Sequence, residues 1–303
     1  MKKFETVENL ISYMKSKNIR FELCSESEAC RFLTENSYYK KISCYQDIFQ
    51  YGIKNGHRVY ADLDFAYLQE LSTLDMEFRV LVMGMCLNLE HALKIYILRE
   101  CLNSGDDGYS FVDEYFTVND KARDGFSTLT NNPYCRDLVT KYSTDTPIWV
   151  YLEVISFGSL CAFYRWLAKE KGVTDYGDTD IIYDISRFRN AAAHNYCLFN
   201  HLRKRDRCKP KPRVLNFVKS IAPPGENTSE RMKSQCAHDF FTLLYAFDKY
   251  IESDGIKNHT AGDIKQLFGN RMQSHSEYFK NCETITKIYT FSKKALDNWI
   301  NSL

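Results

Sequence analysis

Over most of this 303-residue chain, apolar residues recur every three or four positions, the spacing that places them on one face of an α-helix. Residues 5–18 and 27–36 read as two short amphipathic helices. Ser25 or Ser27 supplies an N-cap for the second, and a third helix starts near Tyr38. A break falls between Gly52 and Gly56. From Leu63 to about Leu102 an apolar stripe through Leu71, Leu74, Phe78, Leu81, Met85, Leu89 and Tyr96 predicts one helix of some forty residues, long enough to be the backbone of a bundle.

Gly105 to Gly108 ends that stripe, and a polar region around Asn131-Asn132-Pro133 follows. The order Thr144-Asp145-Thr146-Pro147 predicts a helix from Pro147 towards Lys169, with proline at its first position. Asp178-Thr179-Asp180 opens a further helix over about 180–200. The basic, proline-interrupted stretch 203–213 reads as a loop, and Pro223-Pro224-Gly225 as a break. Two more helices are expected near 228–253 and 284–302. The fold class that results is mainly α: an N-terminal helical region, 1–58, packed on a helical domain, 59–303.

Composition narrows this without redirecting it. Six prolines and thirteen glycines leave few helix breakers, and 44% hydrophobic residues are enough for a core, which excludes collagen-like and low-complexity classes. Eleven cysteines, an odd number with no Cys-x-x-Cys pair, read as reduced core thiols of a cytoplasmic protein. No run of eighteen uninterrupted apolar residues is present, so no membrane span is expected. Trp149 and Trp166 read as core anchors. Neither a phosphate-cradling G-x-x-x-x-G-K-[ST] nor a G-x-G-x-x-G appears, and Glu90-His91 stands without the second histidine or cysteine cluster that a metal site needs. No cofactor and no metal are therefore expected.

The helix opening at Asp180 carries the chemistry. It contains Arg187-Phe188-Arg189-Asn190-Ala191-Ala192-Ala193-His194-Asn195. On an ideal helix Arg189 and His194 lie about 140° apart around the axis and about 7.5 Å along it, a gap that a long arginine can close. Asn190 and His194 are i,i+4 neighbours, which places the amide to orient the imidazole. Such a trio suits cleavage of a ribose-phosphate backbone, because RNA brings its own nucleophile in the 2′-hydroxyl. An imidazole, with an ordinary pKa near about 6.5, moves protons at neutral pH, while a guanidinium stabilises charge on the phosphate.

An Arg-x4-His pair alone occurs by chance in many helices, and the sequence around it carries the assignment. The segment resembles the R-x4–6-H signature of HEPN domains, with Asn190 at the polar position after the arginine. Four elements, this segment among them, resemble the Abi-like (AbiD/AbiF-type) abortive-infection family in chain order: Phe32 to Tyr45, reading FLTENSYYKKISCY; Leu74-Asp75-Met76-Glu77-Phe78-Arg79 followed by Asn88 to Lys94; Pro147-Ile148-Trp149-Val150 with Glu153 and Ser156-Phe157-Gly158-Ser159-Leu160; and Arg189-Asn190 to His194 with Asn200. The family's second histidine and following arginine fall here on Asn195 and Cys197. The resemblance implies a HEPN-like helical bundle, metal-independent endoribonuclease activity in bacterial phage defence or toxin–antitoxin control, and an active site shared across a homodimer. It also implies a small non-coding RNA as a possible partner.

Charge points to RNA independently. The whole chain has a net charge of only +1, yet residues 187–213 hold nine basic residues against the single acid Asp206, a local +8 that leaves about −7 for the remainder. The candidate RNA contacts are Arg187, Asn195, Tyr196, Arg203, Lys204, Arg205, Arg207, Lys209 and Lys211, with Tyr196 and Phe199 as rings on which bases could stack. Catalysis is assigned to Arg189, His194 and Asn190. Two alternatives stay open: a non-catalytic RNA-binding protein that holds a regulatory RNA on the same surface, and a helical scaffold.

Overall fold

Helices dominate the computed structural model, which describes residues 5–202 and 208–303. The chain divides into two units, each of discontinuous segments. Unit 1 comprises Met1–Met83, Ala191–Phe241 and Asp254–Leu303; unit 2 comprises Gly84–Asn190 and Thr242–Ser253. The mainly α class read from the periodicity is the class observed.

In unit 1 the early helices run Val7–Ser16 and Glu26–Glu35. Ser25 caps the second through a full capping box: its hydroxyl accepts from the Glu28 N–H, and the Glu28 carboxylate accepts from the Ser25 N–H. The break expected between Gly52 and Gly56 is instead a hairpin, Tyr51–Lys54 antiparallel to His57–Tyr60. Asn55 and Gly56 both have positive φ, 52° and 75°, as a two-residue type I′ turn requires. Arg20 backbone hydrogen bonds to Leu63 and Phe65 then tie the N-terminal segment to the start of the long helix. Phe78 is packed by Phe199, Phe240 and Phe268 at 5.1–6.2 Å between ring centroids, and Trp299 is buried.

The forty-residue stripe is one helix, Phe65–Asn103. By length and composition it also qualifies as a membrane span, which the sequence reading did not anticipate. Its Leu71, Leu74, Phe78, Leu89, Leu93 and Ile97 are buried in the protein.

Unit 2 is held by an aromatic cluster in which Tyr115, Tyr151, Phe163 and Trp166 lie 5.0–6.2 Å apart. The polar region after Gly108 is not bare loop, since it forms Ser110–Val118, Asp120–Thr128 and Arg136–Lys141. The single helix expected from Pro147 to Lys169 is broken. Pro147 is the N-cap of Ile148–Val154, Ile155 is extended, and the Ser156 hydroxyl caps a new helix, Phe157–Trp166, by accepting from the Ser159 N–H at 3.2 Å. Trp149 is no core anchor either: it is 48% exposed, and Trp166 is only partly buried. The Trp149 ring lies against Gly108, where a Cβ would come within 2.8 Å of it.

Further along the chain, Asp254–Ile264 is helical between the two C-terminal helices expected, and Pro212–Ile221, with proline in its first turn, begins inside the stretch read as a basic loop. All eleven cysteines are free thiols, seven of them buried.

Candidate functional site

The helix that opens beside Asp178 runs Thr179–Ala193, well short of the end near 200 expected from its pattern. Its stop is a Schellman turn. Asn195 takes a left-handed φ of 56°, the Tyr196 N–H donates to the Ala191 carbonyl at 2.9 Å, and the Asn195 N–H donates to that of Ala192 at 3.0 Å. His194 is thus the C-cap and exposed, rather than a residue on a helical face. Its ring lies 5.9 Å from that of Tyr196, centroid to centroid, and Tyr196 is 62% exposed.

Within unit 1 the loop after His194 is pinned from below by the long helix. The fully buried Asp75 carboxylate accepts from the N–H groups of Leu198 and Phe199, both at 3.2 Å, from the Tyr45 hydroxyl at 2.6 Å and from Arg79 at 2.7 Å. Arg79 also donates to the Tyr196 carbonyl at 3.4 Å, and Lys41 Nζ donates to that of Asn195 at 2.7 Å. Burial raises the Asp75 pKa above the usual carboxylate value against the opposing pull of Tyr45, Arg79 and the Phe199 N–H. Burial, and then repulsion from Arg79, lowers that of Lys41. Burial likewise lifts the Cys197 thiol to about 11, so the thiol there stays protonated.

Beside this loop lies a groove of about 940 Å³, lined by Tyr38, Lys40, Lys41, Arg79, His194, Asn195, Tyr196 and His201 among others; no aspartate or glutamate is among its described lining residues. A cation-lined, carboxylate-free wall favours anions. The sequence alone gives Asp75, Arg79 and Tyr45 no part in a site; there Tyr38-Tyr39 with Lys40 and Lys41 could touch RNA, but packing of the first helices onto the bundle is the favoured use. The Asp75/Arg79 i,i+4 spacing on an otherwise apolar stripe was the available signal.

Arg189 and Asn190 are held within unit 2. The Arg189 guanidinium donates to Asn190 Oδ1 at 3.0 Å, lies 4.0 Å from Glu90 and stands 5.4 Å above the Phe157 ring; the side chain is one-quarter exposed. Arg187 is exposed, 3.9 Å from Asp184. Phe199 cannot stack on a base, because it is buried against Phe78. Lys209 is exposed, and Lys211 is the N-cap residue of Pro212–Ile221. Arg203, Lys204, Arg205 and Arg207 lie outside the described residues.

No curated protein and no solved structure matches this sequence. A family model described as Abi-like protein matches residues 31–200, more than half of the chain. The matched stretch takes in Lys40 and Lys41, the Asp75/Arg79 pair, Arg189 and the His194 turn, ending where the pinned loop ends, and on that extent the chain belongs to the Abi-like family.

Proposed function

We propose that this protein is a metal-independent endoribonuclease of the HEPN type, acting in abortive infection as a bacterial phage defence. The observation that carries the reading is His194 itself: an imidazole at an exposed helix C-cap, on the wall of a groove lined by cations and free of carboxylates among its described residues. Arg189 and Asn190 precede it in the R-N-x-x-x-H order.

In the proposed reaction the 2′-oxygen attacks the adjacent phosphorus while His194 accepts its proton. The bond to the 5′-oxygen breaks, and that oxygen takes a proton as it leaves. The products are a 2′,3′-cyclic phosphate and a 5′-hydroxyl. Arg189 places its planar fork on the phosphate as charge builds, with Asn190 orienting it through the hydrogen bond the pair already makes. A homodimer would bring two copies of the motif to one phosphodiester, one imidazole taking a proton and the other, protonated, giving one.

The test is cleavage of RNA by purified protein in EDTA. Cutting that leaves cyclic-phosphate ends and falls by about 10²–10⁴-fold in His194→Ala supports the reading. Cutting that needs an added divalent ion, or that survives in His194→Ala, overturns it. RNA bound without cutting would instead support the alternative of a protein that holds a regulatory RNA.

A further inference from the structure

We propose that the groove beside His194 holds a single-stranded stretch of RNA, with phosphates on Lys40 and Lys41 and bases against Tyr38 and Tyr196. The inference rests on the reading of the protein as one that acts on RNA, and it adds where the strand lies and why the strand is unpaired.

Three observations within unit 1 carry it. The groove is lined by Lys40, Lys41, the ion-paired Arg79 and His194 with no carboxylate among its described lining residues, and its volume of about 940 Å³ exceeds what a lone phosphate fills. That size falls in the upper part of the roughly 300–1,000 Å³ range of ligand pockets. Two of its lining residues hold buried polar atoms without a hydrogen-bond partner among the described residues, Arg79 Nε and Ser37 Oγ. Buried polar groups are ordinarily paired, and pairing these two requires the groove's lining to move, because neither atom is open to it. Finally, Tyr38 and Tyr196 are each 62% exposed and both line the groove.

The exposed rings choose the strand type. A base can stack on a tyrosine only when its own face is free, which is true of single strands and untrue inside a duplex. A flexible acidic peptide would satisfy the cations but has no use for two exposed rings.

The experiment uses the full chain carrying His194→Ala, so that bound RNA stays intact. Fluorescence anisotropy follows a labelled single-stranded oligoribonucleotide, the same sequence closed into a duplex, and polyglutamate as competitor. Lys40 and Tyr38 are exposed, and neither side chain makes a hydrogen bond among the described residues, so Lys40→Gln and Tyr38→Ala should fold as the parent does. Lys40→Gln is expected to weaken binding about threefold to tenfold and to reduce the salt slope by about 0.7 for the lost phosphate contact. Tyr38→Ala is expected to weaken it about tenfold. Duplex should bind less tightly than single strand. Parent-like affinity in both variants, equal or tighter binding of duplex, or displacement of RNA by polyglutamate would each overturn the proposal. The nuclease reading fails separately: a native protein that never cuts, with variants that bind weakly, removes the enzyme and keeps the groove.

Discussion

Asp178 in unit 2 and Asp75 in unit 1 are both fully buried carboxylates that accept from tyrosine hydroxyls and from a cation, and they are put to different ends. Asp178 accepts from Lys249 at 2.7 Å and from Tyr250 and Tyr245 at 2.8 and 3.3 Å; Tyr250 passes the chain on to Tyr164 at 2.9 Å, and Lys249 also reaches Asp175 at 2.8 Å. There two carboxylates share one ammonium. Around Asp75 the proportion is reversed, with Arg79 and Lys41 facing a single carboxylate. Asp75 also spends two of its hydrogen bonds on backbone N–H groups of the loop that follows His194. The first network joins helices inside its unit, whereas the second shapes a loop and leaves positive charge over for a groove.

Substitution at the two aspartates should separate these roles. Asp75→Ala strands Arg79, which is 5% exposed, together with the Tyr45 hydroxyl and two N–H groups. We expect a loss of about 3–5 kcal/mol by denaturant unfolding, with a matching drop in RNA affinity. A further loss arises from pH. Burial alone would lower the His238 pKa, but hydrogen bonds to Asp239 and Cys208 outweigh it and raise it to about 9. The protonated imidazole is thus favoured in the folded state. Its contribution is complete below 6.5, the unfolded value, and disappears as pH rises through about 9. Stability should fall by up to about 3 kcal/mol over that interval, and His238→Gln should flatten the profile; a flat native profile would refute the assignment.

Asp178→Asn keeps the shape of the unit 2 network and removes its charge. With Lys249 one-third exposed and able to reach water, the cost should be about 2 kcal/mol. RNA affinity should not change. An equal fall in affinity for Asp178→Asn and Asp75→Ala would erase the distinction between the two networks. The smallest effect is expected at Asn195, whose φ of 56° penalises a Cβ that has no local hydrogen bond to offer. Asn195→Ala should cost about 1 kcal/mol and Asn195→Gly almost nothing, by thermal melting.

How much was legible follows from how local each signal is. The N-cap at Ser25, one of two serines the sequence offered, and the stripe of the Phe65–Asn103 helix are written within a few turns of chain, and both were read to within two or three residues. Asn55-Gly56 is an equally local hairpin signal that was passed over as a break. The end of the motif helix went wrong for a related reason. Apolar residues continue at Tyr196, Leu198 and Phe199, but Asn195 in a left-handed conformation stops the helix, leaving Tyr196 exposed and Leu198 and Phe199 buried. At Ser156 a capping hydroxyl likewise overrode a periodicity that ran straight through it.

The R-N-x-x-x-H order, the matched family elements and the local excess of basic residues stand in the primary structure, because each is a property of neighbours along the chain or of composition. That Lys40 and Lys41, Arg79 and His194 line one groove could be decided only by folding, since those residues come from three segments separated by up to 154 positions. Burial is what links them. An aspartate sealed beneath a loop must find donors, and the donors it finds, Tyr45, Arg79 and two backbone N–H groups, set where the loop and its histidine face.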